Sequence, residues 1–259
     1  MNRPTFLLGV AAVSALGAAP VRGADTYAST VDDLVAANRI LAQLNVVDGF
    51  GHVSARDPRD PTHYLLARSM APALVTLADI QTYDLQSRPL DPNARTSYLE
   101  RFIHGAIYAA RPDVLAVVHS HTESVIPFAD TGVALRPMFH MASFLGAGAP
   151  IFEIRTIGGD GTDMLISSET LGDALARTLG SADVALMRGH GMVAVGASIP
   201  TAVFRAYYTG EDARLEAEAL RLGTPTYLDA AEAAHATRTN DALIGRAWAL
   251  WKRALPAGS

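Results

Sequence analysis

Two histidines, His119 and His121, directly follow a run of apolar residues, and their spacing is one that can hold a metal ion. The run, at residues 114–118, is rich in Val and Leu and predicts a buried β-strand. Side chains two positions apart in an extended chain point to the same face, so the two imidazoles are expected to lie side by side. They are either ligands of a divalent cation or a hydrogen-bonded structural pair.

A third histidine, His190, lies between Gly189 and Gly191 after a second apolar run at 184–187. The glycines permit a tight or positive-φ backbone, which would let the ring approach a metal from a loop. If the two strand ends meet, three imidazoles converge and leave coordination positions open for a substrate, as in catalytic sites. Because the chain has no Cys, any metal here must be held by imidazole and carboxylate groups.

An acidic residue, Glu100, lies on a helix predicted over 98–110, which leads into the first of these strands. Its carboxylate is a fourth metal ligand, a catalytic base, or the acid of a capping box with Ser97 three residues earlier. His104 lies four residues beyond Glu100, on the same helix face, and is expected to pack behind the site. The helix should end before Pro112, because the residue preceding a proline disfavours the helical conformation.

The elements around these residues predict one α/β domain with a mostly antiparallel or mixed sheet. Amphipathic helices are expected over 30–44, 168–179 and 201–222, the last being the longest. A turn leading into a strand is expected within 48–58, and a short helical turn plus a strand over 77–85. Short strands are expected at 64–67, 150–154, 164–166 and 184–187, the last followed by a further apolar segment at 192–195. No internal repeat or long linker divides the chain.

Composition excludes several classes of function. The 259 residues are 49 % hydrophobic and 18 % charged, with a formal net charge of −5. A chain without a basic cluster or an excess of positive charge gives no reason to expect nucleic acid or an anionic membrane as partner.

Residues 1–23 predict a cleavable signal peptide. Arg3 supplies a positive start, and the uncharged apolar run at 6–19 is too short for a comfortable membrane span. Small residues precede Ala24, where cleavage is expected, so the mature protein would be a single domain over 24–259, periplasmic or secreted. An uncleaved N-terminal helix is the alternative.

The order of these motifs resembles the class II aldolase and adducin family. The resemblance rests on the segments YLERFIHGAIY, RPD, HSH and MRGHG at residues 98–108, 111–113, 119–121 and 187–191. It implies a three-layer α/β/α fold with a central, mainly antiparallel sheet, and a homotetramer with active sites at subunit interfaces. It also implies that His119, His121 and His190 ligate one divalent metal ion per subunit, zinc or manganese being expected, beside Glu100 as acid or base.

Departures from the sugar-phosphate aldolases of this family favour another branch. Those aldolases usually carry Asn where this chain has His52, and their first phosphate loop is replaced here by ARSMAP at 67–72. The segments GHVS at 51–54, ARSMAP and ERFIHG at 100–105 resemble instead metal-dependent decarboxylases of hydroxylated aromatic or pyridine carboxylates, such as dihydroxyphthalate.

This resemblance implies a metal-dependent carbon–carbon lyase that decarboxylates a hydroxylated aromatic or heteroaromatic carboxylate, a small-molecule partner. The planar guanidinium of Arg68 matches a substrate carboxylate, although a solvated surface arginine is the alternative. His52 and Ser69 are further predicted substrate contacts. Two other functions stay open: an aldolase of a non-phosphorylated hydroxy acid or ketone, and a metal-free, adducin-like binding protein.

Overall fold

The computed structural model describes residues 23–256, so the predicted signal peptide lies outside the described residues except for its last position. The strands are β1 His52–Arg56, β2 His63–Ala67, β3 Ile80–Asp84, β4 Ala116–Ser120, β5 Ile151–Phe152, β6 Val184–Met187 and β7 Gly191–Gly196. The α-helices are α1 Gly23–Gln43, α2 Phe102–Ala110, α3 Ile126–Thr131, α4 Arg155–Gly158, α5 Glu169–Leu179, α6 Ile199–Leu222, α7 Ala230–Asp241 and α8 Ile244–Ala254. Short 3₁₀ turns lie at Pro72–Leu74, Leu77–Asp79, Leu99–Arg101, Glu123–Val125 and His140–Leu145.

The strands form a seven-stranded sheet in the order β3-β2-β1-β4-β7-β6-β5. Every neighbouring pair is antiparallel except β5 and β6, which confirms the predicted mainly antiparallel sheet. The register sets His119 on β4 opposite His52 on β1 and opposite Val193 on β7. His119 therefore lies on the central strand of the sheet, between β1 and β7, and His121 directly follows the end of that strand.

Helices cover both faces of the sheet, because alternate strand residues point to opposite sides. Val118 belongs to a buried cluster with side chains of α1, α6 and α8. Val117, its neighbour, belongs to a second cluster with side chains of α2 and α5. This arrangement confirms the predicted three layers, and it places His119, two residues after Val117, on the side of α2. Within residues 23–256, no helix combines the length and apolar character needed to cross a bilayer.

Two predicted elements are wrong in detail. The first helix begins at Gly23 rather than near Thr30, whose hydroxyl donates to the carbonyl of Thr26 inside the helix instead of capping it. Residues 164–166 form no strand, because Met164 adopts a positive φ of 70°, which breaks an extended chain. That irregular segment lies beside the candidate metal centre.

Two buried carboxylates on α6, Asp212 and Glu216, hold the chain segment that precedes the turn His140–Leu145. Asp212 Oδ1 accepts the backbone N–H of Met138 at 2.9 Å, and Glu216 Oε2 accepts that of Arg136 at 2.9 Å. Asp212 Oδ2 is buried without a hydrogen-bond partner in the part of the chain that the structure describes. Burial, reinforced by the charge of Glu216, raises the pKa of Asp212 to about 7.

We expect Asp212 to lower the stability of the protein as the pH rises from about 4 to about 7. In that range the folded chain keeps the Asp212 proton while the unfolded chain, with a pKa near 3.9, has lost it. The free energy of unfolding should therefore fall by up to about 1.4 kcal/mol per pH unit through this group. Asp212→Asn should remove that contribution, as measured by urea unfolding across this range with EDTA present. Glu218→Gln, at an exposed position of the same helix, serves as the control and should leave the slope unchanged.

Candidate metal centre

Glu100, His119, His121 and His190 each place one ligand atom within 4.8 Å of the other three. They come from the turn before α2, the end of β4 and the turn between β6 and β7. The Nε2 atoms of His121 and His190 lie 3.1 Å apart. Glu100 Oε2 lies 3.4 Å from Nε2 of both His119 and His190. The fold thus brings together the three imidazoles and the carboxylate that the motifs singled out.

Backbone carbonyls fix the orientation of two of these rings. His119 Nδ1 lies 3.1 Å from the carbonyl oxygen of Met192, and His190 Nδ1 lies 2.9 Å from that of Met164. A carbonyl oxygen only accepts hydrogen bonds, so in each ring Nδ1 carries the hydrogen. The Nε2 atoms consequently present their lone pairs to the centre of the cluster, the arrangement found in metal-ligating histidines.

The cluster fits a divalent cation better than it fits a hydrogen-bond network. His119 Nε2 is buried without a hydrogen-bond partner among the described residues, and it faces the acceptor-only carboxylate of Glu100. Four ligands at about 2.0–2.1 Å from a tetrahedral ion lie about 3.3–3.4 Å from one another. Three of the six separations in the cluster, at 3.1–3.4 Å, agree with that spacing, and all six are within 4.8 Å. Three imidazole nitrogens and one carboxylate oxygen suit a divalent transition-metal ion.

Glu100 is held as an anion at the edge of this cluster. Burial alone would raise the pKa of Glu100, but the positive charge of His119 and His190 in their protonated forms outweighs burial and keeps the pKa far below its ordinary value. A divalent cation in place of those protons would act in the same direction. Its other oxygen, Oε1, accepts the backbone N–H of Ile166 at 3.0 Å. The capping-box alternative is wrong, because the N-cap position is Tyr98, which makes no side-chain cap, and the Glu100 carboxylate accepts from Ile166 instead.

The segment 163–166 supports two members of the cluster through its backbone. The carbonyl of Met164 orients His190, and the N–H of Ile166 holds Glu100. Met164 has a positive φ of 70°, and within this irregular segment its carbonyl faces the His190 ring while the N–H of Ile166, two residues later, faces Glu100. Sequence reasoning missed this role, because a run of apolar residues carries no local signal for a left-handed backbone at a methionine.

The turn that carries His190 depends on glycine, as the sequence predicted. Gly189 has a φ of 63°, and its N–H donates to Asp130 Oδ1 at 2.8 Å. A Cβ on Gly191 would collide with the carbonyl oxygen of Ser120, at the end of β4. The close approach of this turn to β4 is therefore what lets His190 reach the two histidines of the neighbouring strand end.

His52 is buried beside the cluster but is not part of it. Its ring centroid lies 5.0 Å from that of His119 and 4.6 Å from that of Tyr98. Its Nδ1 lies 2.7 Å from Nε2 of His104. Burial, with the neighbouring charges of His104 and His119, holds the pKa of His52 well below its ordinary value, so the ring is neutral.

Arg68 and Ser69 lie farther from the cluster, and no hydrogen bond or ion pair among residues 23–256 joins either side chain to it. Arg68 Nε donates to Asp79 Oδ1 at 2.8 Å, and the side chain is 32 % exposed. The backbone N–H of Ser69 donates to the carbonyl of Thr96 at 2.7 Å. Between this segment and His52 lies Tyr98, whose hydroxyl donates to the carbonyl of Met70. Arg68 is therefore neither a fully solvated surface arginine nor a residue in contact with the cluster. Its side chain is partly buried, and its Nε is ion-paired with Asp79.

The chain is similar in sequence to one protein family and to two proteins named as decarboxylases. The family model described as "Class II Aldolase and Adducin N-terminal domain" matches residues 32–217. The protein named decarboxylase tropJ, from Talaromyces stipitatus, is 35 % identical over 242 residues, which cover 85 % of this chain and 91 % of that protein. A 3,4-dihydroxyphthalate decarboxylase from a Terrabacter strain is 28 % identical over 211 residues, covering 76 % of this chain and 84 % of that protein.

A solved structure shows the same fold. The crystal structure of an aldolase II superfamily protein from Pseudomonas syringae superposes with a TM-score of 0.72 at 23 % identity, covering 90 % of this chain and 94 % of that one. At this identity the likeness is one of fold.

Proposed function

The chain belongs to the class II aldolase and adducin family, and from that membership we propose that it is a metal-dependent carbon–carbon lyase that decarboxylates a hydroxylated aromatic or heteroaromatic carboxylate. The observation that carries the proposal is the cluster of three imidazoles around an ionised Glu100, in which the buried lone pair of His119 Nε2 has no hydrogen-bond partner in the described part of the chain. The decarboxylase names of the two curated relatives support decarboxylation over aldol cleavage.

The chemical problem of this reaction is the electron density left on a ring carbon. A divalent cation held by His119, His121 and His190 would supply Lewis-acid stabilisation of negative charge on a substrate oxygen. Glu100, an ionised carboxylate at the same point, can take the proton of the substrate's phenolic hydroxyl. It then gives that proton to the ring carbon as the carbon–carboxyl bond breaks. Carbon dioxide and a phenolate leave, and Glu100 is again an anion.

We propose Arg68, Ser69 and His52 as the substrate contacts. Arg68 uses Nε for Asp79, and its two terminal nitrogens have no hydrogen bond in the described part of the chain, so they are available to a substrate carboxylate. Ser69 follows Arg68 directly, and His52 lies against His119. These contacts would hold the carboxylated ring beside the metal cluster.

We further propose one zinc or manganese ion per subunit and a homotetramer with the site at a subunit interface. Two large apolar side chains beside the cluster are largely exposed in the single chain: Phe50 at 68 %, stacked 6.2 Å from His121, and Leu99 at 63 %, next to Glu100. A neighbouring subunit would cover them.

The experiment is a panel of ortho-hydroxy aromatic carboxylates and hydroxy acids, incubated with metal-reconstituted protein. We expect carbon dioxide from at least one aromatic member and none from protein stripped with a chelator. An aldehyde product without carbon dioxide would identify the aldolase alternative. Failure of the purified protein to retain any divalent metal would favour the adducin-like binding protein instead.

We also propose that residues 1–23 are a cleaved signal peptide and that residues 24–259 form the mature, periplasmic or secreted domain. The basis is the sequence alone: Arg3 and the apolar run at 6–19. N-terminal sequencing of protein from fractionated cells should find a chain that begins at Ala24 outside the cytoplasm. A cytoplasmic chain that still begins at Met1 would overturn this proposal and leave the metal centre untouched.

A further inference from the structure

A chain of four buried side chains runs from His52 into the layer between the sheet and α2. His52 Nδ1 lies 2.7 Å from His104 Nε2, and His104 Nδ1 lies 2.6 Å from the hydroxyl oxygen of Ser54. That oxygen lies 2.8 Å from the hydroxyl of Tyr108. All four residues are at most 3 % exposed. The metal cluster does not use this chain, yet one of its ends touches His119.

One assignment of the hydroxyl hydrogens in this hydrogen-bond chain gives each of them an acceptor. Ser54 and Tyr108 bring two hydroxyl hydrogens, and the hydrogen bond between the two groups uses only one of them. Neither hydroxyl has another acceptor among residues 23–256 except His104 Nδ1. Tyr108 therefore donates to Ser54, and Ser54 donates to His104 Nδ1. The opposite polarity would leave a buried hydroxyl hydrogen without an acceptor, which folded proteins avoid.

The direction of these hydrogen bonds determines which nitrogen of His52 carries the hydrogen. Burial lowers the pKa of His104 to about 3, so this ring is neutral and carries a single N–H. With Nδ1 accepting from Ser54, the hydrogen of His104 is on Nε2, and it is donated to His52 Nδ1. Because its Nδ1 accepts this hydrogen bond, His52 carries its own hydrogen on Nε2, an atom with no hydrogen-bond partner in the described part of the chain.

We propose that Ser54, through His104, fixes His52 as the Nε2–H tautomer, so that this N–H donates to an anionic oxygen of the bound substrate beside His119. The identity of the ligand rests on the proposed function, whereas the tautomer does not. A ring so fixed favours a carboxylate or phenolate oxygen and disfavours a group that offers only a donor at this point. Ser54 and His104 are thus positioning residues, and His52 is the residue that touches the substrate.

This hydrogen-bond chain holds His52 in one tautomer and does not serve as a proton relay. If His52 donated its Nε2 proton to the substrate, and one proton then moved along each hydrogen bond to replace it, Tyr108 would be left as a phenolate. Burial raises the pKa of Tyr108 above its ordinary value, which opposes that outcome. The proton that replaces the carboxyl group is accordingly assigned to Glu100, and the His52 chain keeps its polarity through the reaction.

The first test is the tautomer itself, in metal-free protein labelled with ¹⁵N-histidine, with the His52 signals assigned by their absence from His52→Leu. We expect a pyrrole-like Nε2 and a pyridine-like Nδ1 for His52. Ser54→Ala removes the donor to His104 Nδ1, for which residues 23–256 hold no other, and should give a mixture of both tautomers. Tyr108→Phe is the matched control: it removes a hydroxyl from the same chain but leaves the Ser54 hydrogen, so the tautomer should not change. An Nδ1–H tautomer in the wild type, or an unchanged tautomer in Ser54→Ala, would overturn the inference.

The second test is binding of 2-hydroxybenzoate to zinc-loaded protein, measured by titration calorimetry with zinc content determined for every variant. His52→Leu should weaken binding about tenfold or more, the range for a lost hydrogen bond to a charged group. Ser54→Ala should raise the apparent Kd by the inverse of its Nε2–H fraction, about twofold for an even mixture. Tyr83→Phe, another fully buried tyrosine outside the chain, should bind like the wild type. Equal affinity in His52→Leu would refute the donor role. If none of the aromatic carboxylates tested under the proposed function yields carbon dioxide, the proposed function is wrong, whereas the inference about the His52 tautomer is unaffected.

Discussion

Replacing His119 by alanine is expected to empty the metal centre and to lower kcat/KM by about 10³-fold or more. His119 is fully buried, its Nδ1 is engaged with Met192, and its Nε2 has no partner in the described chain other than the ion it would ligate. Removing a metal takes away several kcal/mol of charge stabilisation in the transition state, and about 4 kcal/mol corresponds to about 10³-fold in rate.

Metal content by elemental analysis and kcat/KM on the same preparation measure this effect. His235→Ala, at an exposed position on α7, is the matched control and should keep both metal and activity. A His119→Ala protein that binds a full equivalent of metal and turns over at the wild-type rate would show that the cluster is not the reactive centre.

Glu100→Gln is expected to keep the fold and most of the metal while lowering turnover by about 10²-fold or more, the range for loss of general acid–base catalysis. The amide oxygen of Gln can still accept the N–H of Ile166, and the three imidazoles remain. What the variant loses is the anionic oxygen that faces His119 and His190 and carries the proton.

The loss should appear in kcat rather than in KM, because Glu100 acts on the reacting proton and Arg68 is the proposed carboxylate ligand. Glu169→Gln, an exposed acid at the start of α5, controls for the removal of a negative charge. Undiminished kcat in Glu100→Gln would leave this residue with a purely structural role.

The strand ends and their histidines were predictable from sequence because the signals are local. The apolar runs before His119 and His190 match β4 and β6, and the spacing of His119 and His121 follows from strand alternation alone. The glycines around His190 likewise report a backbone requirement that can be recognised one residue at a time.

What the sequence could not predict depends on contacts between distant segments. The support of Glu100 by Ile166 joins residues 66 positions apart, and it needs a left-handed Met164 that apolar composition does not reveal. The ion pair of Arg68 with Asp79 likewise depends on how the chain folds back between these two residues. His104 was predicted behind the site, yet its use of both ring nitrogens became visible only when β1 was placed against α2.

The candidate ligands come from three segments that only the folded sheet brings together, at Glu100, at His119 and His121, and at His190. An unfolded chain has no such site, so occupancy of the site by metal shifts the folding equilibrium as any ligand selective for the native state does. At a free metal concentration one hundred times Kd, that shift is about 2.7 kcal/mol. It lowers the fraction of unfolded molecules open to proteases about a hundredfold. The metal supply of the compartment would thus govern the lifetime of the protein as well as its turnover.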